Sequence, residues 1–372
     1  MPVPFNDLKR QHDAMADELN DAFMRVMNSG YYILGPEVTQ FEQEFAAYCA
    51  TKHAVGVANG TDAIQIALLA VGVRPGDEVI TVANAGVPGT AAIISLGAIP
   101  VYVDVDAQTR NMDPDTISSA ITTRTRAILP VHLYGLMADM PAIMAVARAH
   151  RIPVVEDVAQ AHGATLHGAI AGSIADVAAF SFYPTKNLGA VGDGGAVVTN
   201  DDDIAQRIRK LRQYGWERKY FTTEEFGFNS RLDELQAAFL RVKLRHLPQS
   251  TQRRQSIAQR YSEAFSSFGV VTPVVPSGYQ SVYHLYVIET PHRDALQHAL
   301  KDAGIGTDIH YPLPTHRQPV YQRYSPSHGL PISEHLATHV LSLPNFPELH
   351  DDEVNRVVEE VQKALHTIFT QR

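Results

Sequence analysis

The sequence predicts an α/β fold: a large domain built on a mostly parallel seven-stranded sheet, followed by a smaller α+β C-terminal domain. Between about residues 54 and 200, short β-branched runs alternate with segments of helical periodicity. Glycine, proline and aspartate bound these runs, as is typical where buried strands end. The alternation of strands and helices indicates a parallel sheet that helices cover on both faces.

Each predicted strand of the sheet is a short apolar run. In chain order the seven runs are AVGVAN, EVITVA, IPVYVDV, RAILPVHL, IPVVEDV, DVAAFSF and GGAVVTN. The helices between them are predicted from TDAIQIALLAVG, GTAAIISLG and MPAIMAVARAH. The acidic segment TNDDD at residues 199–203 offers an N-cap for a further helix, IAQRIRKLRQYG.

The remaining third of the chain predicts a second, smaller unit. A long charged helix around residues 234–267 is expected to bridge the two domains. After it, YHLYVIET predicts a strand, HRDALQHALKDAG a helix, and the segment from Asp352 to about Phe369 a final amphipathic helix. We expect a large domain over residues 1–245 and a small domain over residues 246–372, since ~100–200 residues per domain is usual.

The composition is that of an ordinary globular protein and argues against several classes. The chain has 31 basic and 40 acidic residues and a net charge of −9, which argues against a nucleic-acid-binding face. No run approaches the ~18 apolar residues of a membrane span, and the first residues lack the apolar core of a secretion signal. Cys49 is the only cysteine, so a reducing, cytoplasmic location is expected.

Cys49 and the histidines are expected to be structural. Cys49 lies at helical spacing in FEQEFAAYCA, which predicts core packing. The 17 histidines are scattered and form no HExxH motif or Cys/His cluster, so no metal site is predicted. His132 and His162, near strand ends, could border a ligand but are expected to be packed or capping residues.

Three stretches at the carboxyl ends of predicted strands carry the candidate chemistry, because open parallel sheets bind ligands in the crevice there. The first is ANGTDA at residues 58–63, where a strand ends and a helix begins at once. Free N–H groups of Gly60, Thr61 and Asp62, with the Thr61 hydroxyl, would suit a phosphate. A plain helix cap is the alternative.

The second stretch is IPVVEDVAQAHGA at residues 152–164. Asp157 ends a buried strand, where a carboxylate is costly unless it is paired. Strand alternation turns Glu156 to the opposite side, so the two are not expected to form a catalytic dyad. A protonated aromatic nitrogen in the cleft would pair with Asp157; an N-cap or an ion pair is the alternative.

The third stretch is FSFYPTKNLGAVGDGG at residues 180–195. Lys186 precedes the four glycines, whereas the lysine of a P-loop follows them. A cleft lysine with restricted solvent has a lowered pKa and can act as nucleophile and base; a solvated surface lysine is the alternative. The glycines would permit close approach of the backbone.

The three stretches together fit one ligand, pyridoxal 5′-phosphate. Its phosphate would bind at Gly60, Thr61, Asp62 and Ser181, and its ring nitrogen at Asp157. Its aldehyde would react with Lys186, since such cofactors use a lysine Schiff base and an acidic partner for the ring nitrogen.

The sequence also resembles the DegT/DnrJ/EryC1/StrS family of sugar aminotransferases, within the fold-type I pyridoxal-phosphate enzymes. The resemblance extends nearly end to end. It rests on PFNDL, SGYYILGPEV, FEQEFAAYCATKHAVGVANGTDAI, PGDEVI, PVYVDVD, EDVAQAHGA, SFYPTKNLGAVGDGGAVVTN, FGFNSRLDELQAAFL and IHYPLPTH. It implies the fold-type I architecture and a transaminase that takes part in amino sugar biosynthesis.

The resemblance implies a role for each matching residue. Lys186 would hold the cofactor as an internal aldimine, and Asp157 would keep the ring nitrogen protonated; these are the implied catalytic residues. The implied cofactor-binding residues are Gly60, Thr61, Asp62, Asp157, Ala159, Gln160, Ser181 and Lys186, with Asn229 from the neighbouring subunit. The residues implied to line the substrate pocket are Tyr31, Tyr32, Leu34, Tyr183, Arg231, His310 and Tyr311.

The implied reaction moves an amino group from L-glutamate, through a pyridoxamine phosphate form of the cofactor, to a nucleotide-linked keto sugar. The implied assembly is an obligate homodimer with shared active sites. The segment ANAG resembles the branch that aminates C-3 more than the branch that aminates C-4. Candidate partners of the substrate diphosphate are Arg231, Arg218 and Lys219; a solvated basic patch is the alternative for all three.

One departure from the family pattern affects the substrate. Family members usually carry an aromatic residue that stacks on the cofactor ring where this chain has Val87 and Pro88. Either aliphatic contact replaces the stacking, or an aromatic residue reaches the ring from elsewhere. A keto-cyclitol, such as a keto-inositol, is therefore an alternative substrate.

The sequence argues against two functions other than amino transfer. A non-catalytic cofactor-binding regulator would need a DNA-binding or sensor element that the sequence does not show. The dehydratases of the family carry histidine where this chain has Lys186, which argues against that activity.

Overall fold

The computed structural model describes residues 2–370, and its strands match the predicted runs. The strands are β1 (His53–Val57), β2 (Glu78–Val82), β3 (Ile99–Val103), β4 (Thr125–Leu129), β5 (Val155–Asp157), β6 (Thr165–Leu166), β7 (Ala169–Ile170), β8 (Val177–Ser181), β9 (Gly195–Thr199), β10 (Trp216–Arg218), β11 (Phe221–Thr222), β12 (Tyr279–Gln280), β13 (Tyr286–Glu289) and β14 (Val340–Leu343).

The helices also include the predicted ones. They are α1 (Leu8–Ala14), α2 (Ala16–Ser29), α3 (Pro36–Tyr48), α4 (Gly60–Ala70), α5 (Pro88–Ser95), α6 (Pro114–Ala120), α7 (Met140–His150), α8 (Asp202–Leu211), α9 (Glu234–Phe265), α10 (Arg293–Asp302), α11 (Pro331–His339) and α12 (Asp351–Thr370). Short 3₁₀ turns cover Leu133–Gly135, Thr315–Arg317 and Gln322–Tyr324. No helix among residues 2–370 is long and apolar enough to cross a membrane.

The seven predicted strands form one sheet in the order β3–β2–β4–β5–β8–β9–β1. Parallel bridges from Ile128 to Val154 and from Val131 to Asp157 join β4 to β5. Only β9 is antiparallel to its neighbours, β8 and β1. The prediction of a mostly parallel seven-stranded sheet is therefore confirmed.

Both faces of the sheet are buried, because successive strand residues alternate between two apolar clusters. In β9, Val197 joins the cluster under α4, α5 and α8, whereas Val198 joins the cluster under α3, α7 and α9. Cys49, directly after α3, is buried in the second cluster. Asp201 caps α8 by accepting from the N–H groups of Asp203 and Ile204, as the TNDDD segment predicts.

The long helix α9 connects the sheet to a second core. Its first half packs under the sheet through Ala237 and Leu240. Its second half contributes Tyr261 and Phe265 to a separate core with β13, β14, α10 and α12. The domain boundary predicted at residues 245/246 falls inside this helix.

Some elements were not predicted from the sequence. The helix α2 packs Val26 against Val242 of α9, and β10 with β11 forms an exposed hairpin. The strand β14, antiparallel to β13, completes the sheet of the C-terminal part. The strands β10 and β11 are too short for a periodic signal, at three and two residues, whereas α2 is a 14-residue amphipathic helix that its sequence could have predicted.

Candidate active site

A cavity of about 350 Å³ opens at the carboxyl ends of β1, β2, β4, β5 and β8. Its walls bring together residues from all three predicted stretches. The predicted site residues that line it are Gly60, Thr61, Asp157, Ala159, Gln160, Ser181, Tyr183, Lys186 and Tyr311. The strand order thus brings residues that are more than a hundred positions apart in the sequence, such as Gly60 and Lys186, to one edge of the sheet.

The junction of β1 and α4 supplies hydrogen-bond donors at a helix N-terminus. The N–H groups of Gly60 and Thr61 have no intrahelical partner, because they lie in the first turn of α4. A Cβ on Gly60 would collide with the Ser181 side chain and lie 2.8 Å from its Oγ. Glycine therefore allows the helix end and the Ser181 hydroxyl to face the same point, an arrangement suited to a phosphate.

The prediction of a free amide at Asp62 is wrong. The Asp62 N–H donates to Oδ1 of Asn59 at 2.9 Å, and Asp62 is not among the residues that line the cavity. The N-cap preference of asparagine explains the difference, since its side chain takes one of the otherwise unpaired N–H groups of the first turn.

Asp157 presents a buried carboxylate to the cavity. Its residue surface is only 6% exposed, and Oδ1 accepts from the N–H of Ala159 at 3.0 Å. Oδ2 has no hydrogen-bond donor among residues 2–370. Burial raises the pKa of Asp157, while the Ala159 N–H and the charge of Lys186 oppose the rise. A cation in the cavity would stabilise the ionised form.

Glu156 faces the opposite side of the sheet, as predicted. Both it and His132 are fully buried, and His132 Nε2 lies 2.8 Å from Glu156 Oε2. Glu156 also accepts from the N–H groups of Gly172 and Ala175. Burial acts to raise the pKa of Glu156, but these donors together hold it below its usual value.

Lys186 stands in the turn after β8 and faces the same cavity as Asp157 without forming an ion pair with it. Burial lowers the pKa of Lys186 to about 8, and Asp157 opposes part of that change. The residue is partly exposed to the cavity although protein surrounds its amine closely. At pH 7 about a tenth of this amine is therefore unprotonated, far more than for an ordinary lysine.

The glycines after Lys186 permit close contacts. A Cβ on Gly189 would collide with the Pro184 carbonyl, and one on Gly195 would collide with the Asn59 carbonyl. Because these two glycines lack a Cβ, the turn after β8 packs closely on Pro184 within the turn and on Asn59 at the β1–α4 junction.

Gln160 and Tyr311 form a second wall of the cavity. Gln160 Oε1 accepts from the Tyr134 N–H at 2.8 Å, and its Nε2 donates to the Tyr311 hydroxyl at 3.1 Å. The Tyr311 ring packs on Gly86, where a Cβ would lie 3.1 Å from Tyr311 Cζ. One N–H of Gln160 remains for a ligand.

The segment at Val87 and Pro88 contributes only in part. Pro88 lines the cavity, but Val87 does not and its side chain is exposed. The aromatic residues on the cavity wall are Tyr183 and Tyr311. The cavity wall therefore offers a bound ring both an aliphatic residue, Pro88, and two aromatic residues from elsewhere in the chain, Tyr183 and Tyr311.

Other predicted site residues do not reach this cavity. Tyr31 and Tyr32 are 64% and 49% exposed, and Asn229 is exposed. The predicted residues outside the cavity wall are Tyr31, Tyr32, Leu34, Asp62, Asn229, Arg231 and His310.

His310 lines a different cavity, and its Nδ1 lies 2.8 Å from Ser342 Oγ. His310 was expected to line the same pocket as Tyr311, but in this chain the two residues line different cavities. Both His132 and His162 are fully buried and neither lines the site.

Some cavity residues were missed from the sequence. Thr81 and Val82 end β2, and Val131 follows β4. The rule that ligands bind beyond the carboxyl ends of parallel strands could have identified them. No group of three or more histidine, cysteine, aspartate or glutamate side chains converges on a metal-binding point within the described part of the chain.

Comparisons with known proteins agree with this geometry. A model described as the DegT/DnrJ/EryC1/StrS aminotransferase family matches residues 13–362. A dTDP-3-amino-3,4,6-trideoxy-α-D-glucose transaminase from Streptomyces venezuelae is 47% identical over 363 residues, covering 97% of this chain and 96% of the relative. A pleiotropic regulatory protein from Geobacillus stearothermophilus is 46% identical over 366 residues, covering 97% and 98%.

A solved structure gives the same result at the level of the fold. The crystal structure of S. venezuelae DesV in complex with a ketimine intermediate superimposes with a TM-score of 0.96 at 46% identity. The superposition covers 98% of each chain.

Proposed function

The chain belongs to the DegT/DnrJ/EryC1/StrS aminotransferase family, and from this premise we propose that it transfers the amino group of L-glutamate to a nucleotide-linked keto sugar. It is a pyridoxal-phosphate-dependent aminotransferase of fold type I. Amination at C-3 is the favoured regiochemistry, because the S. venezuelae relative is named for a 3-amino sugar. The observation that carries the proposal is Lys186, with its lowered pKa, in one cavity with Asp157.

The cavity residues fit pyridoxal phosphate. The N–H groups of Gly60 and Thr61 and the Ser181 hydroxyl are donors for a phosphate, and they lie together because Gly60 lacks a Cβ. The Asp157 oxygen without a donor suits a protonated ring nitrogen, and the Lys186 amine suits an aldehyde. When bound, the cofactor supplies an electron sink for the charge that develops on the substrate carbon.

The chain's own residues carry the proton transfers. Nζ of Lys186 takes the proton from Cα of the amino donor and delivers a proton to the sugar carbon in the second half of the cycle. A pKa of about 8 suits this double role, because efficient acid–base groups titrate near the working pH. Asp157 stays ionised against a cationic partner, and Gln160 orients the bound ring through its remaining N–H.

We also propose that the active form is a homodimer with shared sites. Lys186 is the only basic side chain among the described residues that line the cavity, whereas the proposed substrate carries a diphosphate. The missing cation would come from a second copy, with Arg231 of the partner subunit as the candidate, and Asn229 of the partner subunit would add a neutral amide donor. The exposed surface formed by Tyr31, Tyr32 and Ile33 is apolar enough to be covered in such a dimer.

A regulatory function is the second candidate, because the Geobacillus relative is named a regulatory protein. The similarity to a named transaminase over 97% of the chain favours an enzyme.

The proposal is tested with purified holoenzyme, L-glutamate and a panel of 3-keto and 4-keto sugars linked to dTDP, UDP or GDP, plus a keto-inositol. We expect 2-oxoglutarate and a 3-amino nucleotide sugar by mass spectrometry, and no product with Lys186→Ala. Glutamate alone should convert the enzyme to its pyridoxamine phosphate form. Absence of that half-reaction would favour the regulator, and amination of the keto-inositol alone would favour the cyclitol.

A further inference from the structure

A second cavity, of about 200 Å³, lies beside the turn that carries Lys186. It shares no lining residue with the proposed active site, but Thr185 and His310 on its wall are the chain neighbours of Lys186 and Tyr311. Its volume exceeds the roughly 10–15 Å³ that one water molecule needs. We call it the Arg254 cavity after the charged residue at its base.

Arg254 is a buried cation with three of its five N–H donors unused. The residue is 5% exposed, and its Nη1 donates to the carbonyl oxygens of Asn345 and His284. Nε and Nη2 make no hydrogen bond to residues 2–370, and no carboxylate in that range forms an ion pair with Arg254. Burial lowers the pKa of Arg254 to about 10, and Glu348, which does not line the cavity, opposes part of that change.

The unused donors have the geometry of a carboxylate site. Nε and Nη2 lie on one edge of the planar guanidinium, and their N–H bonds run parallel at the spacing of two carboxylate oxygens. A buried charge without a counter-ion is costly. The edge therefore favours an anion with two oxygens over a neutral ligand.

The other walls suit a small acid with a short apolar part. Phe5, Leu285 and Leu343 are apolar, whereas Asn6 and Thr185 offer polar groups. His284 is neutral, because burial lowers its pKa well below the usual value.

Asp308, the remaining charged group on the wall, forms no ion pair with Arg254. Asp308 is mostly exposed, and its Oδ2 lies 3.8 Å from His310 Nε2. It does not neutralise Arg254.

We propose that the Arg254 cavity binds the carboxylate of a small organic acid through the Nε–Nη2 edge of Arg254. The bound acid would connect α9 to the turn that carries Lys186. This site is separate from the cofactor cavity and does not depend on the substrate proposed above.

The test is thermal unfolding of the holoenzyme in sodium acetate, with sodium chloride at the same ionic strength as the comparison. Ligand that binds only the native state raises the melting temperature with the logarithm of its concentration once that exceeds Kd, and we expect a rise of roughly 2–5 °C at about 100 times Kd. Chloride should give less than a third of that rise, because it has no second oxygen for the paired donors.

Two variants and one control test whether the acetate-induced rise in melting temperature arises at Arg254. Arg254→Gln should abolish the acetate response. If that variant does not fold, Asn345→Asp serves, because it puts a carboxylate on a cavity residue whose backbone carbonyl accepts from Arg254. The substitution removes one hydrogen bond, from Nδ2 to the Tyr283 carbonyl oxygen, and the buried Oδ1 of Asn345 has no partner in the described chain. Arg253→Gln, one residue away and bonded to Asp351 at the surface, should keep the full response.

Three results would overturn the proposal: no rise with acetate, an equal rise with chloride, or a rise that persists in Arg254→Gln or Asn345→Asp. None of these results depends on transamination. Failure here is therefore distinguishable from failure of the proposed activity.

Discussion

Burial of Lys186 should lower the stability of the cofactor-free protein, and Lys186→Met should remove that cost. Its pKa falls from 10.5 to about 8, which corresponds to at most about 3 kcal/mol at about 1.36 kcal/mol per pH unit. The attraction to Asp157 is already included in that pKa, and contact of the amine with cavity water reduces the cost further. We expect a net gain of about 1–3 kcal/mol for Lys186→Met at pH 7.

The pH dependence of this gain has a defined sign. The unfolded chain holds the lysine proton up to about pH 10.5, whereas the folded chain releases it near pH 8. Wild-type stability from this group therefore rises between pH 8 and 10.5. The advantage of Lys186→Met is complete below pH 8 and disappears by about pH 10.5.

The assay is urea unfolding of cofactor-free protein at pH 7 and at pH 10, compared between wild type and variant at each pH so that other titrating groups cancel. Lys301→Met, at an exposed position on α10, is the matched control and should change stability by less than about 0.5 kcal/mol. Equal stability of wild type and Lys186→Met at pH 7, or an unchanged difference at pH 10, would refute the reasoning.

Three further predictions concern the loaded enzyme. Gly60→Ala should weaken cofactor binding at least about tenfold in a fluorescence titration, because its Cβ collides with Ser181. Asp157→Asn should lower turnover by about two to four orders of magnitude in steady-state assays, since an amide cannot hold a cationic nitrogen. Mixed Lys186→Ala and Arg231→Ala subunits should regain roughly a quarter of wild-type activity, because half of the dimers are hybrids with one complete site each.

Each of these has a contrary outcome. Unchanged cofactor affinity in Gly60→Ala would show that the phosphate lies elsewhere, and near-normal turnover in Asp157→Asn would remove Asp157 from the chemistry. Mixed subunits that stay inactive after verified exchange would argue against sites shared between subunits.

The sheet and the position of the site could be predicted because both depend on simple local patterns. Short β-branched runs between helical segments determine a parallel sheet, and the carboxyl ends of its strands then locate Asp157 and Lys186 at one edge. The N-cap at Asp201 followed from residue type alone.

The details that depend on tertiary contacts could not be predicted. Asn59 takes the Asp62 amide, which residue type alone does not distinguish from a free phosphate site. His310 and Tyr311 are adjacent in sequence but line different cavities, which their order in the chain does not reveal. In the sequence, Arg254 cannot be distinguished from an exposed arginine of a charged helix. Only the fold shows that it is buried.

Glu156 and Asp157 show how the fold distinguishes two neighbouring buried carboxylates. Glu156 has His132 and several backbone N–H groups as donors, so the folded chain already stabilises its charge. Asp157 has one donor and a raised pKa, so a cation in the cavity would stabilise its charge. The group with unsatisfied hydrogen-bonding capacity is the one that we expect to bind a ligand, and the same reasoning selects the helix end at Gly60 and the free edge of Arg254.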